Sequence, residues 1–427
     1  MKLYIYLLFF TLFFSACSTK QNKIEQVNDI TQLSQKPIDY TNNIDILNKN
    51  QQNKLNTNFN KTYFKPWEIT KLSFTKKDAM WGIGYSTREI YGQNYKKVDK
   101  NWFEKTINNT NFQNYNKVLK KAITIKNSNL RVLPSKKPMF LDPQKAGEGF
   151  PFDYNQNSSI YINTPLLISH YSKDKAWAFV ESNFALGWID INSIALIKTK
   201  DIKTFKNNNY AIAIKDNFPI YKNNIFIEYI KLGTLFPIIK DKYIIVGRDS
   251  KGKSYIRYIK SDHILKKPIV FKKENIVKVL EELINEPYGW GGLIDTRDCS
   301  SMTRDLFSPF GIYLERNSYG QTLNGKYISL EKLSNEDKKK KIIEQAKPFM
   351  SLLYAKGHVM LYVGYKDQEP IIFHQFWGIR TKDNKNIEGR HIVGKSAFTT
   401  LEVGKELKEY DPSASLIKKI KGIVILN

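Results

Sequence analysis

Cysteine is almost missing: the 427 residues hold two, Cys17 and Cys299. Two cysteines allow one disulfide at most, which excludes a disulfide-stapled framework and any paired Cys-x-x-Cys zinc site. Histidine is scarce too, with His170, His263, His358, His374 and His391. No His-Glu-x-x-His occurs, so neither a metal nor another cofactor is expected. The apolar run from Leu3 to Phe14 is too short for an ordinary membrane span. Acidic side chains are outnumbered, 41 against 67 basic, for a formal charge of +26. Such a surface attracts polyanions. However, the Lys and Asn runs are scattered (Asn42-Asn43, Asn207 to Asn209, Lys338 to Lys341), which fits compositional drift better than one basic face. Zinc-finger, homeodomain and RNA-reading signatures are absent, so nucleic acid is not an expected partner.

What is present places the chain outside the cytoplasm. Lys2, the run Leu3 to Phe14 and then Ser15-Ala16 read as a secretory signal over residues 1–16. Cys17 after Phe14-Ser15-Ala16 resembles the lipobox of bacterial lipoproteins. That resemblance implies cleavage before Cys17 and its acylation. With Ser18 next rather than Asp, it implies the periplasmic face of a Gram-negative outer membrane. The alternative is a plain signal with an incidental cysteine. If Cys17 carries lipid, Cys299 is the lone thiol in an oxidising compartment, a liability unless it does chemistry or is deeply buried.

A hydrophobic fraction of 41% and a charged fraction of 25% are ordinary for folded domains, and the length allows two to four of them. Residues 17–60, rich in Asn, Gln, Lys and Thr, read as a mostly disordered tether. Residues 61–122 carry Trp67, Trp81 and Trp102 and a loose helical period, and read as a small helical domain. Residues 123–198 and 199–268 are short strand-like runs separated by Pro, Gly and Asn-Ser turns, predicting two small β-barrels in tandem. Residues 269–427 are mixed. The spacing of Ile276, Val277, Leu280 and Leu283-Ile284 predicts a helix over 274–285, and a second helix follows from Cys299 to Phe307. Strands are predicted at 349–354, 358–365, 370–376 and 422–426, giving an α+β domain.

Cys299 lies in Arg297-Asp298-Cys299-Ser300-Ser301, after a loop and at a helix start. Free N–H groups there favour an anion, so a depressed thiol pKa is expected. His358 opens a strand after Gly357, and His374 lies on the next strand across a polar turn, Lys366 to Glu369. A hairpin would set the two imidazoles on adjacent strands, one able to take the thiol proton and the other to orient it.

Tyr288-Gly289-Trp290-Gly291-Gly292, Asp298-Cys299-Ser300-Ser301, Gly357-His358-Val359 and His374, in that order, resemble the NlpC/P60 superfamily of papain-like cell-wall peptidases. Asn129 to Val132, Gly187-Trp188-Ile189, Gly147 to Tyr154 and Ser169-His170-Tyr171 resemble the first bacterial SH3-like barrel of a multi-domain branch. Asn217 to Tyr221 could open a second barrel. Departures are Ser301, where Gly is common, and Asn317 in Arg316-Asn317-Ser318, where Asp is usual. The resemblance implies hydrolysis of the γ-D-glutamyl–diamino acid bond (meso-diaminopimelate) of peptidoglycan stem peptides; a monomer is expected, with the oligomeric state left open by the sequence. Cys299 is then the nucleophile, His358 the base and His374 its orienter. The Cys299 N–H and the Tyr288 hydroxyl become oxyanion donors. Asp298, Ser300 and Ser318 become substrate contacts. Trp290 either walls the pocket or packs in the core. Glu148 and Tyr154 receive the free L-Ala amine, unless Glu148 is only a turn residue. A wall-binding lipoprotein that no longer cuts, or a related cysteine amidase or acyltransferase, are the other readings.

Overall fold

A computed structural model describes residues 26–43 and 47–426; the leader and Cys17 lie outside the described residues. The first barrel is a seven-stranded antiparallel sheet. It runs in the order Gln156–Ile160, Ser128–Arg131, Leu186–Asp190, Trp177–Glu181, Pro165–Tyr171, Lys120–Thr124, Ile194–Leu196. Leu130, Ile160, Ile168, Val180 and Ile189 fill its interior. The second barrel has five strands, ordered Ser254–Ile259, Lys242–Arg248, Leu235–Ile239, Tyr210–Ala213, Ile264–Lys266, with a separate hairpin of Phe218–Lys222 and Ile225–Ile230.

In the C-terminal domain the helices Lys273–Glu281 and Cys299–Phe307 share one core with the sheet. Its six strands are ordered Gly325–Ser329, Ile420–Leu426, Ser351–Ala355, His358–Lys366, Glu369–Lys382, Glu388–Thr399. Met302 and Leu306 of the second helix, Leu361 and Phe373 of the sheet and Leu280 of the first helix are all buried in that core. The expected α+β domain behind two small barrels is therefore present.

The described part of the stretch expected to be a tether, from residue 26 on, is not one. Lys49–Tyr63 is a helix with a reciprocal cap between Asn48 and Gln51. Phe59 and Tyr63 are buried with Trp67, Phe205 and Tyr210. The Gln52 amide donates to the carbonyls of Ile269 at 2.6 Å and Phe310 at 3.0 Å. Further upstream, Asp29 Oδ2 accepts from the N–H and hydroxyl of Thr400 at 2.7 and 2.8 Å. The low hydrophobicity that suggests disorder is paid back by a few well-placed aromatics and amides that dock onto finished domains.

One cation ties three domains together. Arg297, fully buried, donates to Asp216 of the second barrel at 2.7 Å, to Glu286 at 2.6 Å and to Asp305 at 2.8 Å. Asp305 also accepts the hydroxyl of Tyr161 from the first barrel at 2.6 Å. Lys231 completes the knot at 2.6 Å from Asp216.

Candidate active site

The loop before Cys299 is shaped by close approach. Gly291 and Gly292 have φ of +62° and +76°, and a Cβ on Gly292 would lie 2.2 Å from Ser159 Oγ of the first barrel. Two backbones can pack this tightly only where a side chain is missing. The Gln156 amide donates to the Gly291 carbonyl at 3.1 Å, fastening the loop to the same strand. Asp298 then caps the helix: its Oδ1 accepts from the Ser301 N–H at 2.8 Å, and Ser301 Oγ accepts from the Asp298 N–H at 2.9 Å. Arg316 donates to both Asp298 oxygens, at 3.1 and 2.8 Å, and to Ser158 Oγ of the first barrel at 2.6 Å.

These bonds reassign two residues. Asp298 already accepts from Gly291, Ser300, Ser301 and Arg316. Buried Ser300 donates to Asp298 and accepts from Arg316. Both hold the nucleophile's loop instead of presenting free groups to a substrate. Ser318 does not line the cleft of Cys299. Asn317 caps the short helix Ser318–Gln321 through the Gly320 N–H at 2.7 Å, a job Asp would do equally well. Trp290 packs edge-on to Phe152 and against Tyr154, also away from the cleft lining.

Cys299, Tyr288, His358 and His374 line one cleft of ≈ 260 Å³, together with Gly147 and Phe152 of the first barrel. The strands His358–Lys366 and Glu369–Lys382 form a hairpin whose turn residues Asp367 and Gln368 both have positive φ, the geometry of a tight two-residue turn. Leu361 faces Phe373 across it, so His374 lies diagonal to His358. His358 Nε2 and His374 Nδ1 are 2.9 Å apart, and His374 Nε2 is 3.0 Å from Thr399 Oγ1.

Thr399 sets the direction of that chain. Its hydroxyl donates to the Thr400 carbonyl at 2.9 Å, so its oxygen receives the proton of His374 Nε2. His374 Nδ1 is then bare and accepts from His358 Nε2–H. His358 Nδ1 is left as a lone pair. Thr399 carries no signal in the sequence: it is a buried threonine at the end of a strand, like many others.

The thiol is not depressed as expected. Burial, seconded by the neighbouring Asp298 carboxylate, pushes Cys299 up to about 12, although the Val359 N–H and the Arg316 guanidinium favour the thiolate. Burial likewise pushes His358 down to about 4. The resting pair is neutral thiol and neutral imidazole, and sulfur becomes nucleophilic only as its proton leaves. Tyr288 is held well above its usual range by burial, so its hydroxyl keeps its proton and can donate. The Cys299 N–H belongs to the first turn of the helix, where no intrahelical acceptor exists. Glu148 is raised by burial, and its Oε2 accepts from the Tyr154 hydroxyl at 3.3 Å.

Residues 285–387 match the NlpC/P60 family profile. The chain carries an NlpC/P60 domain. Residues 6–115 match the N-terminal NlpC/P60 stabilising domain, and residues 138–190 match an SH3 domain of the SH3b1 type. Among solved structures, an NlpC/P60 endopeptidase from Photobacterium damselae subsp. piscicida is similar along 92% of this chain and 97% of its own, at 25% identity and a TM-score of 0.84. An NlpC/P60 family protein from Bacillus cereus covers 71% of this chain and 98% of its own, at 14% identity and a TM-score of 0.46. No curated protein matches the sequence. The match to the NlpC/P60 profile spans Tyr288, Cys299, His358 and His374.

Proposed function

We propose that the protein is a cysteine endopeptidase of peptidoglycan stem peptides, cutting between γ-D-glutamate and the diamino acid. The observation that carries this is the directed chain Thr399–His374–His358, which leaves Nδ1 bare on a histidine that lines the same cleft as Cys299. His358 Nδ1 takes the thiol proton as Sγ adds to the γ-carbonyl. The Cys299 N–H and the Tyr288 hydroxyl stabilise the oxyanion. Collapse breaks the C–N bond, His358 returns the proton to the leaving amine, and a thioester remains on Cys299. Water, activated by the same imidazole, then releases the acid and the thiol. Glu148 and Tyr154 do not line the cleft themselves; they flank Gly147, which does, and a free ammonium at the substrate's N-terminal end meets them past that glycine.

Envelope location follows from the leader: we propose that Cys17 is acylated and holds the enzyme at the outer membrane. Rapid acid quenching during turnover of L-Ala-γ-D-Glu-meso-diaminopimelate, followed by peptide mass spectrometry, tests the chemistry. An L-Ala-γ-D-Glu acyl group on Cys299 is expected. Cleavage that persists in Cys299→Ala would exclude this mechanism.

A further inference from the structure

The cleft has a charged end that the chemistry above does not use. Arg380, Arg390 and Lys419 line it, and no carboxylate lines it with them; Arg390 also packs against Gly147, its guanidinium 3.1 Å from where a Cβ there would sit. The two arginines are matched from behind: Arg380 by Asp411 at 2.9 Å and Glu388 at 3.3 Å, Arg390 by Glu388 at 2.8 Å. Lys419 is exposed, and its ammonium has no hydrogen-bond or ion-pair partner among the described residues. Three cations thus face two carboxylates, and the unmatched charge is the lysine's.

Its place in the fold puts it beside the base. Ile420 pairs with Ala355, which on its other side pairs with His358, so Lys419 sits at the rim next to that imidazole. Lys419 acts on His358 as a nearby positive charge, and Arg380 and Arg390 act so on Lys419. In the proposed reaction His358 hands its proton to the departing amine. A substrate group that reaches Lys419 therefore belongs to the residue that departs.

We propose that Lys419, with Arg380 and Arg390 beside it, is the subsite for a carboxylate carried by the leaving diamino acid. This rests on the peptidase reading. Lys419 is a positioning residue and takes no part in proton transfer. A diamino acid can offer that carboxylate from two places, the α-carbon or the far end of its side chain.

Steady-state cleavage by the full mature protein, Lys419→Met and Lys419→Arg decides the matter. The substrates are L-Ala-γ-D-Glu-meso-diaminopimelate, its α-carboxamide, and the lysine tripeptide that lacks the side-chain carboxylate. The methionine variant is expected to raise KM roughly ten-fold, the scale of one charge-assisted hydrogen bond, with kcat nearly unchanged. The arginine variant is expected to restore KM, and added salt to raise the wild-type KM more than the variant's. Whichever substrate loses the effect of Lys419→Met identifies the carboxylate that is bound. If wild type cuts and Lys419→Met has the same KM on all three substrates, the subsite is wrong and the peptidase stands. If wild type cuts none of them, the peptidase reading falls and this one with it.

Discussion

At the scale of single residues, the site depends on which nitrogen carries which proton. Thr399 has one hydroxyl proton and spends it on the Thr400 carbonyl, and every tautomer upstream follows. Thr399→Val removes the acceptor for His374 Nε2–H and frees that imidazole to flip its tautomer. A fall in kcat of roughly ten-fold is expected, a fraction of the ~10²–10⁴ that a positioned base supplies, with KM little changed. Because His358 lies near 4 and Cys299 near 12, kcat/KM is expected to hold level across neutral pH and to fall only as pH approaches about 4. A stopped-flow pH series that showed an acid limb near the ordinary histidine value would contradict the neutral pair. In the sequence Cys299 stands beside a cap and His358 beside a turn glycine, while His374 is marked only by lying on the strand across the polar turn; the structure brings the three into one cleft. The thiol's raised pKa was not legible there, since a helix start read along the chain says nothing of how much protein closes over it.

At the scale of elements, the loop and helix that hold Cys299 are fixed from the first barrel. Gly292→Ala would put a methyl group 2.2 Å from Ser159 Oγ at a φ of +76°, so barrel and peptidase domain must part or the loop must shift. A loss of about 1–3 kcal/mol is expected in chemical denaturation, together with lower activity. Losing Asp298 is costlier: Asp298→Ala removes the helix cap and leaves Arg316 buried without its partner, about 3–5 kcal/mol for a broken buried pair. The helix Cys299–Phe307 and the hairpin of the two histidines follow the hydrophobic period closely. Two strands of the same sheet, Gly325–Ser329 and Glu388–Thr399, and the helix Asn335–Gln345 escaped that reading. Most of the residues of those two strands up to Lys395 are polar or exposed, so little apolar alternation marks them, and the helix is a run of charges with only Lys338, Lys339 and Ile342 buried.

At the scale of the molecule, charge couples the domains. Arg297→Met would leave Glu286 buried without a cation and Asp216 and Asp305 with only Lys231 and Arg304, and separation of the second barrel is expected before the sheet melts. The pH dependence of stability has opposing parts. Burial pushes His170 and His358 down to about 4 and His374 well down, so between there and the ordinary histidine value the unfolded chain binds more protons. Stability then rises with pH across that window. Glu286, raised by burial to about 7, works the other way from the ordinary glutamate value upward, because its folded form holds the extra proton, and the raised carboxyls of Asp29, Glu148, Glu228 and Glu315 act in the same direction. The imidazoles' own share is therefore read by difference: between about pH 6.5 and about pH 4 the Tm of His170→Asn is expected to fall less than that of the wild type. An equal fall in both would show that this imidazole is not held neutral. The tandem barrels and the α+β domain were legible from turn spacing and strand length. The docked N-terminal helix was not, because its few aromatics find their partners only in the assembled chain.

The most direct test is digestion of purified stem peptides by the mature protein and by Cys299→Ala, with products identified by mass spectrometry. The account predicts cleavage between γ-D-glutamate and diaminopimelate by the first and none by the second. An intact peptide in both, or a cut at another bond, would contradict it.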